Sequence, residues 1–140
     1  MGAPDYALFL WAIDPMLPQA LDVTAAWGFT FKTVAFYWAK RCRASDGWHI
    51  GTGYWSRANP EQCLRGTRGS PMRLSRSVRR LVVAPVREHS RKPDEVAQSI
   101  QQLVPGPYLE MFARERRFGW DAWGNESEKF SEVPTLLQAA

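Results

Sequence analysis

Two stretches near the C-terminal end of this 140-residue sequence carry residue types that could hold an anion. Arg87-Glu88-His89-Ser90-Arg91-Lys92 runs from an apolar segment into Pro93-Asp94-Glu95, which has the composition of a helix start. A loop of this kind aims cations and helix-terminal amides at an anionic ligand. Lys92, immediately before Pro93, could direct its ammonium into the cleft. Arg114 and Arg116 follow a second apolar segment, and Asn125 follows the Trp-rich Gly119-Trp120-Asp121-Ala122-Trp123-Gly124. A carboxylate needs a fork donor and a ribose needs an amide; Arg and Asn supply them. Ligands of open α/β sheets bind at the carboxyl ends of strands, so the layout suits a nucleotide-like ligand. The alternative reading of both stretches is solvated basic surface.

These residues need elements to position them. Tyr6 to Ala12 is a short aromatic and apolar run that suits a strand buried on both faces. Asp14-Pro15 reads as a helix start, with Asp14 as cap and Pro15 in the first turn. Leu17, Leu21 and Thr24 recur on one face of that helix, and Gly28 ends it. Phe29 to Lys40 is rich in strand formers, and Arg41 to Gly53 reads as a loop. Gln62 to Thr67 is a further strand, Gly69 to Ser77 a basic loop, and Leu81 to Ala84 a buried strand ended by Pro85. Pro93 opens a helix whose first-turn acids, Asp94 and Glu95, suit the helix dipole, with Val96, Ile100 and Leu103 as its apolar stripe. Tyr108 to Ala113 is the last strand. Strands alternating with helices predict an α/β fold with a mostly parallel sheet.

Composition sets the outer bounds. The length suits one domain, able to bury roughly 70% of its unfolded surface. The formal net charge is +4, but Arg57 to Lys92 holds ten Arg or Lys against only Glu61 and Glu88. That surplus of eight positive charges favours a polyanion such as nucleic acid, or is simply a solvated loop. Cys42 and Cys63 lack Cys-x-x-Cys spacing and read as reduced, cytosolic thiols rather than a disulfide or metal framework. No apolar run approaches the ~18–20 residues of a membrane span. The glycine patterns of dinucleotide-binding and P-loop folds, and of serine hydrolases, are missing.

Taken in order, several segments resemble the adenine-N(6)-specific methyltransferase family of the MT-A seventy type, from about Ala7 to Glu126. They are Phe9-Leu10-Trp11-Ala12, Tyr37-Trp38-Ala39-Lys40, Thr52-Gly53-Tyr54-Trp55 and Glu61-Gln62-Cys63-Leu64. His89-Ser90-Arg91-Lys92-Pro93-Asp94-Glu95 is the most specific, and Glu110-Met111-Phe112-Ala113-Arg114 and Trp123-Gly124-Asn125-Glu126 complete the set. The resemblance implies a Rossmann-like sheet and S-adenosylmethionine (SAM) as methyl donor. By position it implies Lys92, Arg114, Arg116, Asn125 and Glu126 as cofactor contacts. Arg116 stands where some relatives carry His, and Glu126 where some carry Gln. Glu61, Arg87 and Ser90 match positions facing the adenosine substrate. Residues 1–126 are expected to form a partial methyltransferase domain and 127–140 a flexible C-terminal tail.

The family's catalytic signature, Asp-Pro-Pro followed by an aromatic, has no counterpart in the 140 residues. Asp14-Pro15-Met16 is a decoy, read here as a helix cap. The signature has a physical purpose. The exocyclic amine of adenine delocalises its lone pair into the ring and is a poor nucleophile. A carboxylate and a carbonyl accept its hydrogens and turn the lone pair toward the methyl group, while an aromatic holds the ring flat. Alignment of this kind supplies up to roughly 7–11 kcal/mol in ideal cases. The sheet is therefore expected to be incomplete at the catalytic strand, between Tyr6–Ala12 and Tyr108–Ala113. Those two strands are expected to pair directly, or a second chain or another segment is expected to fill the gap. Two functions follow: a SAM-dependent adenine methyltransferase whose isolated activity is doubtful, or a non-catalytic nucleic-acid-binding or partner subunit on the same fold.

Overall fold

A computed structural model describes residues 5–88, 91–111 and 117–124. The chain divides into two compact units, Met1–Pro105 and Gly106–Ala140.

The first unit is built on four strands. β1 (Tyr6–Ala12), β2 (Thr30–Arg41), β3 (Glu61–Arg68) and β4 (Leu81–Pro85) form a sheet in the order β1-β3-β2-β4. β3 runs antiparallel to both β1 and β2, and β4 runs parallel to β2. β1, β2 and β4 therefore point the same way, with β3 inserted against them. This corrects the expectation of a mostly parallel sheet. Three strands share a direction, yet two of the three pairings are antiparallel, because the segment from Glu61 returns beside β2 without a crossover helix. The result is an α/β unit with a mixed sheet.

Register sorts the side chains into two faces, since directly opposed residues share a face. Phe9, Trp11, Phe36, Trp38, Lys40, Glu61 and Cys63 lie on one. Phe36 and Cys63 there are almost wholly buried, and the Trp38 indole donates to the Ala84 carbonyl at 2.9 Å. Leu64 and Gly66 lie on the other face, where a Cβ on Gly66 would stand 3.0 Å from the Thr24 methyl. β2 reaches its register through two irregularities, between Phe31 and Thr33 and between Val34 and Phe36. Each leaves one extra residue, Lys32 and Ala35, outside the ladder.

α1 (Leu17–Ala26) covers that second face through Thr24, which is buried and donates its hydroxyl to the Ala20 carbonyl at 2.9 Å. Its approach differs from the expected cap. Asp14–Met16 forms a turn of 3-10 helix, and Ile13 and Met16 stand at the two cap positions without a side-chain cap. Asp14 instead accepts from the Gln62 amide at 3.2 Å. Pro15 and Pro18 suit these first turns because they have no N–H to satisfy. Gly28 ends the helix at φ 85°, a left-handed conformation that costs glycine little. α2 (Asp94–Leu103) begins after Pro93, with Val96 and Ile100 buried and Asp94 and Glu95 in its first turn, as the pattern predicts.

In the second unit β5 (Tyr108–Met111) and β6 (Trp120–Trp123) form a parallel two-stranded sheet, with the Tyr108 and Trp120 rings stacked 5.0 Å apart. The alternation of Trp120-Asp121-Ala122-Trp123 reads as a turn by composition but forms a strand. Among the described residues the ladder partner of β5 is β6. Among the described residues β1 has a ladder on one side only. No helix of the described residues is long and apolar enough to cross a membrane.

Candidate functional site

The three co-directional strands share one direction, and Lys40, Glu61 and Lys92 meet at their carboxyl ends. Lys40 follows Phe36 and Trp38 on one face of β2, two residues apart each time, as strand geometry requires. Glu61 opens β3 directly opposite Trp38. Lys92, two residues before α2, reaches the same place. Glu61 is 6% exposed. Its Oε1 lies 3.2 Å from the Lys40 ammonium and its Oε2 receives the Lys92 ammonium. Each lysine also lies over an indole, Lys40 over Trp38 at 5.0 Å and Lys92 over Trp11 at 5.3 Å. The two indoles meet edge to face at 6.3 Å. One buried carboxylate is thus clamped by two cations, each backed by an electron-rich ring.

The surrounding loops hold this arrangement from both sides. Asn59 exchanges two hydrogen bonds with the backbone of Lys40: its oxygen accepts from the Lys40 N–H at 2.9 Å and its amide donates to the Lys40 carbonyl at 3.0 Å. The same amide donates to the His49 carbonyl, closing the long loop after β2. On the α2 side, Arg87 pairs with Asp94 at 3.0 Å and donates to the Lys92 carbonyl at 3.3 Å. Arg87 therefore ties both ends of the turn that carries Lys92. Arg91 pairs with Glu88 at 3.0 Å. A backbone hydrogen bond at Glu88 itself, and then Arg91, hold the Glu88 carboxyl below the usual carboxylate range.

Cys63 lies beneath the cluster with no exposed surface. Burial pushes its thiol up to about 12, with Lys92 opposing and Glu61 reinforcing the shift. It is packed as a small apolar side chain rather than as a nucleophile. Both cysteines are free thiols, and among the described residues no group of three or more His, Cys, Asp or Glu is placed to hold a metal.

Of the residues the sequence singles out, Lys92 and Glu61 come into direct contact and Arg87 braces their loop. Ser90, Arg114, Arg116, Asn125 and Glu126 lie outside the described residues. Sequence reasoning passed over Lys40, Trp11, Trp38 and Asn59 as site residues. The alternation Phe36-Trp38-Lys40 flags Trp38 and Lys40 as neighbours on one face of β2. Asn59-Pro60 was legible only as punctuation.

The sequence profile of the MT-A70 family matches residues 2–126. The chain belongs to the MT-A70 family. Within known proteins it is 33% identical over 137 residues to the type II methyltransferase M.MunI of Mycoplasma sp, covering 95% of this chain and 56% of that protein. It is 32% identical to the N(6)-adenosine-methyltransferase MT-A70-like protein of Drosophila melanogaster, covering 98% of this chain and 24% of that one. It is 30% identical to the N(6)-adenosine-methyltransferase catalytic subunit METTL3 of Homo sapiens, covering 87% of this chain and 22% of that one. The chain thus spans between about a fifth and somewhat over half of these relatives' lengths.

The cluster is unbalanced in charge. Two ammonium groups face a single carboxylate, so one positive charge remains to meet an anionic group such as an α-carboxylate. The adjacent Trp rings give an apolar wall of the kind that small-molecule sites use.

Proposed function

We propose that this chain supplies the ligand-facing part of a SAM-dependent methyltransferase acting on the exocyclic amine of adenine in nucleic acid. In this reading Lys92, with Arg114, Arg116, Asn125 and Glu126, holds the cofactor, and Glu61, Arg87 and Ser90 face the adenosine. Bound SAM would supply an electrophilic methyl group on a sulfonium. The role of Glu61 is then to fix two lysines at the mouth of the site, because both of its oxygens are already engaged. Arg87 sets the height of Lys92 above the sheet.

The observation that carries this reading is the Lys40–Glu61–Lys92 cluster at the carboxyl ends of β1, β2 and β4. Ligands of α/β sheets gather at that end, and a surplus cation there suits the carboxylate end of the cofactor, which is otherwise cationic. Family membership supplies the chemistry.

The 140 residues contain no Asp-Pro-Pro-aromatic segment, so acceptors for the amine hydrogens must come from another segment or chain. Among the described residues β1 has a ladder on one side only, which supports this, since such edges are normally paired or covered. Calorimetric titration of SAM into the protein tests the cofactor half. Binding that weakens at least tenfold in Lys92→Ala supports the assignment; equal binding by parent and variant removes it. Methyl transfer to an adenine-containing oligonucleotide, absent alone and restored by a chain carrying the missing motif, supports the second half. Turnover by the purified 140 residues alone refutes it. The alternative reading, a non-catalytic nucleic-acid-binding subunit, is favoured by the basic stretch from Arg57 and is selected by oligonucleotide binding without SAM binding.

A further inference from the structure

Eight of the ten cations between Arg57 and Lys92 fall into two kinds. Arg68 donates to the Trp27 carbonyl at 2.7 Å and lies over the Phe29 ring, capping the end of α1. Arg87, Arg91 and Lys92 are paired with Asp94, Glu88 and Glu61. These four have partners within the protein. Arg73, Arg76, Arg79 and Arg80 are different. All four are exposed, and among the described residues none of their guanidinium groups makes a hydrogen bond or an ion pair. The segment from Gly69 to Arg80 contains no acidic residue.

This segment has no regular secondary structure, yet it is anchored at both ends and in the middle. The Ser70 N–H donates to Asp5 at 2.9 Å, and the Leu74 N–H donates to the Leu103 carbonyl at the end of α2 at 2.8 Å. The Arg80 carbonyl accepts from the Tyr37 N–H at 2.9 Å. Four like charges are therefore held on a tethered strap with no internal counter-charge. Self-repulsion makes such an arrangement unfavourable for the protein alone, and it is relieved by a partner with regularly spaced negative charges. Guanidinium forks match phosphate oxygens in geometry.

We propose that Arg73, Arg76, Arg79 and Arg80 form a phosphate-contacting strap for the backbone of the nucleic acid whose adenine the site addresses. This inference rests on the nucleic-acid reading of the site and adds where the backbone is gripped. Each neutralised phosphate releases counterions, which steepens the salt dependence of binding by about 0.9 for duplex DNA and about 0.7 for a single strand.

The experiment measures binding of a fluorescein-labelled adenine-containing oligonucleotide, single-stranded and duplex, by anisotropy between about 50 and 200 mM salt. The parent is compared with the protein carrying Arg73→Ala, Arg76→Ala, Arg79→Ala and Arg80→Ala together, and with the same four positions changed to Lys. The Ala protein is expected to lose about 3 from the slope of log affinity against log salt, and the Lys protein to keep it. Single Arg→Ala proteins, each losing about 0.7–0.9 of slope, serve if the quadruple variant does not fold. An unchanged slope in the folded variants overturns the proposal, as does arginine-dependent binding to phosphatidylserine vesicles with no effect on the oligonucleotide. SAM titration on the same proteins separates the two readings. Lost slope with no SAM binding by the parent keeps the strap and removes the methyltransferase assignment. Intact SAM binding with an unchanged slope removes the strap alone.

Discussion

Replacing Glu61 by Gln tests whether the charged cluster is the structural keystone of the site. The substitution keeps the shape and removes the charge, leaving Lys40 and Lys92 facing each other across an amide. Removing one partner of a buried ion pair costs about 3–5 kcal/mol, because the remaining charge is stranded. Here the lysine side chains keep 22% and 26% of their exposure while that of Glu61 keeps 7%. Water reaches the stranded cations in part, so the figure is discounted to about 2–3 kcal/mol. At about 4 °C per kcal/mol for a unit of this size, the melting midpoint should fall by about 8–12 °C. Thermal and urea unfolding followed by far-UV circular dichroism give the value. The double variant Glu61→Gln/Lys92→Met removes one of the two repelling cations, and should recover about 1–2 kcal/mol relative to the sum of the single changes. A Glu61→Gln protein within about 0.5 kcal/mol of the parent, or strict additivity in the double variant, would show that the carboxylate is not the group holding the two lysines.

Cys63 should resist iodoacetamide at pH 8 while Cys42, which is half-buried, is alkylated, as read by intact-mass spectrometry. With a folded value of about 12, only about one Cys63 in ten thousand is thiolate at that pH. The folded value lies above the unfolded one, so the contribution of this thiol to stability is intact below about pH 8.5 and is lost as pH rises toward 12. Trp55→Gly should raise the urea midpoint by the equivalent of about 1 kcal/mol. The Trp55 indole is fully exposed, and the residue sits at φ 70° in a tight turn closed by the Ser56 N–H on the Tyr54 carbonyl at 2.8 Å, a conformation that strains any side chain but glycine's lack of one. Gly66→Ala should lower stability by about 1–3 kcal/mol, since the new methyl would lie 3.0 Å from Thr24, 3.2 Å from the Thr30 carbonyl and 3.3 Å from Phe29; an unchanged midpoint would mean that α1 shifts away freely.

Local features were legible where local chemistry decides them. The apolar run of β1, the stop at Gly28, the Pro93 helix entry and the short strand before Val86 all follow from residues within a few positions of one another. The direction of β3 was not legible, because nothing in Glu61 to Arg68 states which neighbour it will join. The position of Asp14 before Pro15 fits a cap, but a long-range partner, Gln62, claims its carboxylate instead. The cluster was half visible. Lys92 and Glu61 stand out through the family resemblance, but their contact spans 31 positions of sequence. Lys40 and the two indoles join them only once the register of β1, β2 and β3 is fixed. Trp120 to Trp123 alternates like a strand but is too short, and too rich in turn-forming neighbours, for composition to decide.

The two residues of β2 that stand outside its ladder, Lys32 and Ala35, give the middle of that strand spare contour length. Losing either one would let the neighbouring pairs close up without sliding Trp38 past Glu61. Variation in the length or pose of α1 can therefore be absorbed before it reaches Lys40, so that the α1 side of the unit is mechanically insulated from the Lys40–Glu61–Lys92 cluster.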